Sequence, residues 1–441
     1  LPAVETAAIV VNAEKGIEQD TRRFMKAAHD QRLCRIIIIN KIDTEGTDLE
    51  TLMADIRSEF GNGCLPLNLP AAEGIGVVDC FFQPEGAETR FSDVKTAHTQ
   101  IVDQVVEVDD ELMDLYLEQG EDLQPDQLHE PFETALREEH LTPVCFVSAE
   151  TGAGIKQLLQ IFERLMPNPA EGNPPIFLKG EGEDAKEVVL TPNPDDHAIG
   201  HVFDVEIDAF KGRLGVFRLH QGTVRSGGQL FVGDARKPIK VNQLLKLNGG
   251  DHSKIEVALP GDICAIPRVD DVHYDAVLHD SHDEDHFHMK SIALPRPMFG
   301  LAISPPSDNE AQKTSDALHT AEAEDPSIIV EHNAALNEIV LRGLGEMHLR
   351  TILEEIKDRY DLEVKTAPPS IAYRETIRGK AEGHHRHKKQ TGRAGQFGEV
   401  YLRIVPLPSG VGFEFASKVV GGSIPTQYIP AVETGVRQVM E

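Results

Sequence analysis

One stretch decides the fold, residues 35–43, which read RIIIINKID. Four consecutive isoleucines are typical of a strand that is buried on both faces, as the strands of parallel sheets are. A second apolar strand, 7–11, precedes it, and the segments 18–31 and 48–60 have the length and patterning of helices. This alternation predicts an α/β domain built on a parallel sheet.

The strand–helix pattern returns at residues 143–148, PVCFVS, which a helical segment at 155–165 follows. The intervening sequence differs, because short strands with glycine and proline give way to acidic helical stretches such as 109–119. We therefore interpret residues 61–140 as an insertion into a first domain that spans 1–172.

Three further units follow the prolines and glycines of 167–175. Short alternating apolar runs between glycines predict an antiparallel β-barrel over 173–296. The order βαββαβ predicts a ferredoxin-like α+β domain over 297–376. A partial α+β fourth domain is expected over 377–441, so the fold class is multidomain, α/β and β.

The NKID end of the opening stretch has the chemistry to read guanine. Ligands of open parallel sheets bind just past the carboxyl ends of strands, where Asn40, Lys41 and Asp43 stand. The Asp43 carboxylate can accept hydrogen bonds from the ring N–H and the amino group of guanine. The Asn40 amide can bond the opposite edge, and the Lys41 stem can cover the ring. An ordinary strand-to-helix turn is the alternative for these four residues taken alone.

A second element, SAETGAG at residues 148–154, strengthens the guanine interpretation. A tight turn at Ser148 and Ala149 would present backbone N–H groups to guanine O6, and the glycines allow close approach. Two such elements, each after a strand, predict part of a P-loop-type GTPase sheet that binds GTP or GDP.

The elements that hold phosphate are absent from the 441 residues, since neither G-x-x-x-x-G-K-[ST] nor a suitably placed D-x-x-G occurs. In GTPases these elements bind the phosphates and Mg²⁺. We expect them upstream of residue 1, in a truncated or disordered N-terminus. No catalytic residue and no metal ligand is assigned within the chain, which alone is not expected to hydrolyse GTP.

The net charge of −30 argues against RNA binding over a broad surface. RNA contact is therefore expected to be local, at the basic segment 384–393, HHRHKKQTGR. A solvated hairpin turn is the alternative for that segment. The longest apolar run is too short to span a membrane, and five cysteines without a C-x-x-C pair fit a reducing cytoplasm.

The order of these motifs resembles bacterial elongation factor G, from the middle of its GTP-binding domain into its fourth domain. Beside the guanine motifs, the matching stretches are LPAVETA (1–7), KGRL (211–214), QGT (221–223), LRGLGEMHL (341–349), AYRET (372–376), QTG (390–392), GQFG (395–398), GGSIP (421–425) and YIPAV (428–432). The resemblance covers nearly the whole chain.

The resemblance implies a cytoplasmic, monomeric GTPase that uses GTP, GDP and Mg²⁺ in the intact protein. It implies the ribosome as partner, and transfer RNA in the decoding region as the partner of a loop at 384–398. The insertion would be the G′ subdomain. Hydrolysis would be coupled to a translocation-type step.

The loop departs from the family pattern Q-[ST]-G-G-R-G-Q at Arg393 and Ala394, so we expect an elongation factor G-like paralogue. Two alternatives stay open. One is a ribosome-recycling or ribosomal-protection GTPase of the same architecture, and the other is a non-catalytic ribosome-binding protein without a phosphate loop.

Two further sets of polar residues invite a chemical role. Glu346 and His348 favour a structural role over catalysis, because no nucleophile or metal partner neighbours them in sequence. The histidine-rich segment 273–288 could bind Zn²⁺ or Ni²⁺, but its spacing matches no standard site, and a solvated loop is the alternative.

Overall fold

The computed structural model describes residues 3–84, 88–119, 127–180, 182–208, 210–290, 294–334, 336–371, 373, 375–390, 395–421 and 425–440. The chain divides into two compact units. The larger comprises Leu1–Asn333 with Asn337–Pro369, and the smaller comprises Ala334–Leu336 with Ser370–Glu441.

The larger unit begins with alternating strands and helices. In chain order these are β1 (Thr6–Asn12), α1 (Gln19–Asp30), β2 (Cys34–Asn40), α2 (Leu49–Phe60), β3 (Cys64–Pro66), β4 (Asn68–Pro70), β5 (Val77–Asp79), α3 (Val94–Val106), α4 (Asp110–Gln119), α5 (His129–Arg137), β6 (Thr142–Phe146) and α6 (Ile155–Leu165). Four strands form a parallel sheet in the order β1-β2-β6-β3, and β4 and β5 form an antiparallel pair.

The isoleucine run is buried because β2 lies inside the sheet, between β1 and β6. Ile36, Ile37 and Ile39 expose none of their surface. Burying a side chain of this size stabilises the fold by roughly 1.5–3 kcal/mol. The run therefore fixes the centre of the sheet, as the sequence predicts.

Part of the region interpreted as an insertion, residues 61–140, belongs to the main sheet and its core. Cys64–Pro66 is a strand of the main sheet, and its Cys64 pairs in parallel with Thr142 of β6. Helices α3 and α5 belong to the same core as the isoleucines, since Val102 and Phe132 are fully buried within it. A three-residue strand that ends in proline carries too little patterning to be recognised.

The next region is almost entirely β. Its strands are β7 (Phe177–Lys179), β8 (Lys186–Val188), β9 (Ile199–Asp208), β10 (Gly212–Gln221), β11 (Val224–Arg225), β12 (Gln229–Val232), β13 (Ile239–Lys240), β14 (Leu244–Asn248), β15 (Asp251–Ile255), β16 (Val257–Ala258), β17 (Ile263–Pro267), β18 (Val277–His279) and β19 (Phe287–Met289). Eight form an antiparallel sheet in the order β13-β12-β18-β9-β10-β17-β14-β15, and β11 pairs with β16. Side chains of both sheets share one core, which confirms the barrel-type β region.

A ferredoxin-like region completes the larger unit. Its elements are β20 (Phe299–Ser304), α7 (Ala311–Glu324), β21 (Ile329–Asn333), β22 (Glu338–Gly343), α8 (Glu346–Tyr360) and β23 (Lys365–Ala367). The antiparallel order β21-β22-β20-β23 is that of the split-βαβ fold. Leu362, which lies between α8 and β23, is buried in the core of this region.

His348, on the first turn of α8, has a structural role. Its Nδ1 accepts a hydrogen bond from the Leu344 N–H at 3.1 Å, and its Nε2 lies 2.8 Å from Asp325 Oδ2. A ring nitrogen that accepts carries no proton, so Nε2–H donates to the carboxylate. Both nitrogens therefore join the start of α8 to the end of α7, which favours the packing interpretation over catalysis.

The smaller unit contains β24 (Ala381–Lys389), β25 (Gln396–Ile404) and α9 (Ile429–Met440). The two strands pair antiparallel, from Ala381 opposite Ile404 to Lys389 opposite Gln396. The basic segment was predicted as a loop, but 384–389 is strand. Residues 391–394, which carry the departure at Arg393 and Ala394, lie outside the described residues.

Asn68 braces the strand that leads to the second guanine element. It is fully buried, its Nδ2 donates to the Phe146 carbonyl at 3.1 Å, and its Oδ1 accepts from the Phe146 N–H at 2.7 Å. We expect Asn68→Ala to destabilise this region by about 2–3 kcal/mol, because two buried backbone groups lose their partner. Faster hydrogen exchange in residues 142–147 would show it, whereas Asn248→Ala at the exposed end of β14 should leave those amides unchanged.

Candidate functional site

The two predicted guanine elements emerge side by side, because they follow adjacent parallel strands. Ile39 of β2 is in register with Phe146 of β6. The backbone contact continues past the strands, since Val147 N–H donates to Ile39 O at 2.8 Å and Ile42 N–H to Val147 O at 3.3 Å. Residues 40–43 and 148–154 therefore share one edge of the sheet.

Asn40 joins the two elements. Its Oδ1 accepts hydrogen bonds from the Lys41 N–H at 2.8 Å and from the Ala149 N–H at 3.0 Å. Because the amide oxygen faces these two donors, its NH₂ group faces away from them and can donate elsewhere. One side chain thus sets the distance between the turns.

The turn after Asn40 displays Lys41 and shelters Asp43. Lys41 has a left-handed backbone, with φ of 69°, and an exposed side chain. That conformation is uncommon for a residue other than glycine, and it is typical of functional turns. The turn is closed by the Thr44 N–H, which donates to Lys41 O at 3.1 Å.

Asp43 has the chemistry that guanine requires. The residue is half-buried, and its Oδ1 is inaccessible to solvent and has no hydrogen-bond partner. A buried acceptor without a donor costs about 1–3 kcal/mol. A carboxylate at this position suits the ring N–H and the amino group of guanine, and a bound base would have to uncover Oδ1 to supply these donors.

Ser148 shapes the second turn. It is fully buried, its N–H donates to Ala153 O at 2.9 Å, and its Oγ accepts from the Thr151 N–H at 3.2 Å. The sequence predicts that the N–H groups of Ser148 and Ala149 face guanine O6. In the structure the Ser148 N–H donates to Ala153 O and the Ala149 N–H donates to Asn40 Oδ1. Guanine O6 would therefore share the Ala149 N–H with Asn40.

Gly154 allows the turn to close. Its φ is 74°, and a Cβ at this position would lie 2.4 Å from the Phe146 carbonyl oxygen. Only glycine combines that conformation with so close a backbone approach. The glycine in the motif therefore has a packing role at the base of α6.

Arg90 supports the site and was missed by sequence reasoning. Its Nη1 donates to Ile42 O at 3.5 Å and its Nη2 donates to Gly74 O at 3.3 Å. Arg90 thus links the NKID turn to the segment that contains Gly74. The next residue, Phe91, packs edge-on against Phe146, with ring centroids 5.6 Å apart. Nothing in the spacing of the sequence links position 90 to position 42.

Histidines of the segment 273–288 make several polar contacts within the protein. Both ring nitrogens of buried His279 face carbonyl oxygens, those of Ser281 at 2.7 Å and Gly233 at 2.8 Å. His282 lies 3.1 Å from an oxygen of Asp285. These contacts occupy both nitrogens of His279 and one nitrogen of His282. His279 lies in β18 and His288 lies in β19, so the segment is only partly a loop.

Four family models match successive parts of the chain. They are those described as Elongation factor Tu GTP binding domain at 1–168, Elongation factor G domain 2 at 197–276, Elongation Factor G domain III at 294–368 and Elongation factor G domain IV at 369–441. The chain belongs to the elongation factor G family. Its guanine elements lie inside the first of these matches, and its basic hairpin lies inside the last.

Relatives show the same likeness over nearly the whole chain. The chain is 31% identical to an elongation factor G-like protein of Thermotoga maritima over 446 residues, which cover 98% of this chain and 64% of the relative. It is 29% identical to elongation factor G of Fervidobacterium nodosum over 467 residues, which cover 100% and 66% respectively. The chain therefore spans about two thirds of the length of these curated relatives.

A crystal structure of a protein from Thermus thermophilus has the same architecture, with a TM-score of 0.75 at 30% identity. The match covers 99% of this chain and 64% of that one. Within the part of the chain that the structure describes, no helix has the length and apolar character needed to cross a membrane.

Replacing Asn40 tests its role as the bridge between the turns. In Asn40→Ala the N–H groups of Lys41 and Ala149 lose their acceptor, so we expect the Ala149 amide to exchange faster. Guanine nucleotide affinity of the intact protein should fall by about tenfold or more, equivalent to at least ~1.4 kcal/mol. The matched control is Asn12→Ala, because Asn12 faces Asn40 across β1 and β2 but only caps its own turn. Equal effects of the two substitutions would contradict the assignment.

Proposed function

We propose that this chain supplies the guanine-reading part of the nucleotide site in an elongation factor G-like translational GTPase. One observation carries the proposal, the buried and partnerless Oδ1 of Asp43 beside the Asn40–Ala149 hydrogen bond. Adenine presents no pair of N–H donors on the corresponding edge, so the arrangement favours guanine over adenine.

Each proposed residue has a distinct task. Asp43 accepts from the base, and the Asn40 amide NH₂ donates to the opposite edge. The exposed Lys41 stem covers the ring face. Ser148 holds the turn that sets Ala149 beside guanine O6. The ligands proposed are GTP and GDP, with Mg²⁺ bound among the phosphates of the intact protein.

We propose that the intact protein binds the ribosome and couples GTP hydrolysis to a translocation-type step, as a cytoplasmic monomer. Membership of the family supports this proposal. The domains proposed to take part are 1–172, 173–296, 297–376 and 377–441.

The basic hairpin supports a local contact with transfer RNA or the decoding region. His384 stacks on Tyr401 with ring centroids 4.1 Å apart, and the Arg386 guanidinium lies 5.3 Å from the centre of the Phe397 ring. Side chains two residues apart share a strand face, so Lys388 extends the same surface. Aromatic rings beside cations suit stacking with exposed bases and contact with phosphate.

Contacts inside the larger unit support a coupled conformational step. Arg218 of β10 is buried, and its guanidinium donates to Ala3 O at 2.7 Å and to Glu5 Oε1 at 2.5 Å, which ties the β region to the start of β1. Glu324 of α7 accepts from the Ile207 N–H of β9 at 2.7 Å and pairs with Arg359 at 2.8 Å. Displacement of the parallel sheet would therefore be transmitted to both neighbouring regions.

Exchange of one carboxylate for an amide tests the assignment of Asp43. Asp43→Asn replaces a hydrogen-bond acceptor by a donor. Xanthine has a carbonyl group where guanine has its amino group, and the new amide NH₂ can donate to that carbonyl. In the intact protein we expect GDP affinity to fall by about a hundredfold and xanthosine diphosphate affinity to rise, measured by competition with a fluorescent nucleotide.

The matched control is Glu45→Gln, which makes the same chemical change at an exposed position in the same turn. Unchanged GDP affinity in Asp43→Asn, with no gain for xanthosine diphosphate, would refute the site. Loss of GDP binding in both variants would point instead to general disruption of the turn.

A further inference from the structure

One histidine and two glutamates, side chains of the types that bind metal ions, lie close together outside the guanine site. His129 and Glu133 stand four residues apart on α5, a spacing that puts both on one face of the helix. Glu171 approaches them from the segment that connects α6 to β7. Ligand atoms of the three residues lie within 4.8 Å of one another.

Glu133 points an unsatisfied oxygen into this cluster. Only 9% of its side chain is exposed, and Oε1 has no hydrogen-bond partner although it lies 3.0 Å from His129 Nε2. The two atoms are thus close without the geometry of a hydrogen bond. Adjacent ligands of a tetrahedral Zn²⁺ are about 3.3–3.6 Å apart, given bonds of about 2.0–2.2 Å.

The electrostatics of the cluster call for a cation. Burial and the nearby Glu171 carboxylate, in that order, raise the pKa of Glu133, while His129 and Arg137 act in the opposite direction. Glu171 is held in place, because its Oε2 accepts from the Asn168 N–H at 2.9 Å. The two carboxylates and the imidazole thus bring three ligand atoms within 4.8 Å of one another, which is the geometry on which the proposal rests.

We propose that His129, Glu133 and Glu171 bind a divalent transition-metal ion of the zinc class. One imidazole nitrogen with two carboxylates suits Zn²⁺ better than Mg²⁺, which prefers oxygen ligands alone. Three protein ligands leave a fourth position for water. The exposed ring of His129 gives the ion a route of entry.

The bound ion would stabilise the position of the segment between α6 and β7, which connects the parallel sheet to the β region. Asn173, two residues beyond Glu171, already donates to Arg32 O at 2.9 Å and Arg137 O at 3.0 Å. Gly172 lies against Glu5, since a Cβ there would stand 2.5 Å from the Glu5 Cγ. Metal binding at Glu171 would therefore stiffen a segment that is already docked.

The direct test is calorimetric titration of the chelator-treated chain with Zn²⁺ and, separately, with Mg²⁺. We expect one Zn²⁺ site per chain, with proton release and weaker binding at lower pH, and negligible Mg²⁺ binding. His129→Ala, Glu133→Gln and Glu171→Gln should each weaken Zn²⁺ binding by at least about tenfold. Zn²⁺ should raise the melting temperature of the parent but not of Glu171→Gln.

Controls are needed because the chain has 19 histidines. His140→Ala removes an exposed ring near α5 that lies 3.5 Å from Glu138, and His282→Ala removes one from the histidine-rich segment. Both should bind Zn²⁺ as the parent does. If Glu133→Gln fails to fold, Glu171→Gln still tests the site, because Glu171 is only half-buried and its substitution should be tolerated.

Three results would overturn the proposal. One is the absence of Zn²⁺ binding by the parent, and the second is undiminished binding by His129→Ala and Glu171→Gln. The third is a melting temperature that Zn²⁺ leaves unchanged while Glu133→Gln raises it at pH 7, because a shared proton would then explain the carboxylate pair.

Discussion

The amide oxygen of Asn40 accepts backbone hydrogen bonds from its own turn and from the turn after the neighbouring strand. That arrangement exists only because β2 and β6 are parallel, adjacent and in register at Ile39 and Phe146. A slip of one residue would move Asn40 to the opposite face of its strand. Because β2 is buried on both faces, its isoleucines alone do not exclude such a slip. The backbone hydrogen bonds from Val147 N–H to Ile39 O and from Ile42 N–H to Val147 O hold the two turns at this register.

Prediction from the sequence was most successful where one segment carried its own signal. The isoleucine run marked the central strand, and the order βαββαβ predicted the ferredoxin-like region that the structure shows. The guanine elements were predicted from residue types that have a direct chemical meaning. These features are local, so a single sequence contains them.

The features that escaped prediction depend on distant partners. β3 is three residues long and is a strand only because β6 pairs with it. The basic strand β24 is exposed along its whole length, so it lacks the alternation that marks a half-buried strand. Arg90 and the Arg218–Glu5 pair join residues 48 and 213 positions apart. Such contacts arise from the fold and leave no periodic trace.

Polar contacts also link the regions of the larger unit to one another. Arg218 meets Glu5 just before the strand that neighbours β2, and Glu324 meets the end of β9. Glu5, the partner of Arg218, also lies against Gly172, the residue next to Glu171. The contacts of Arg218 join the β region to the amino-terminal end of β1, at the edge of the parallel sheet opposite the one that carries Asn40.

The central claim is that Asp43 recognises the amino and ring N–H groups of guanine. It is tested most directly by comparing GDP with inosine diphosphate, which lacks only the amino group, in the intact protein and in Asp43→Ala. A charge-assisted hydrogen bond contributes about 1.5–3 kcal/mol, so the parent should bind GDP about ten- to a hundredfold more tightly. In Asp43→Ala the preference should vanish. A parent that binds both nucleotides equally, or a variant that keeps the preference, would contradict the account.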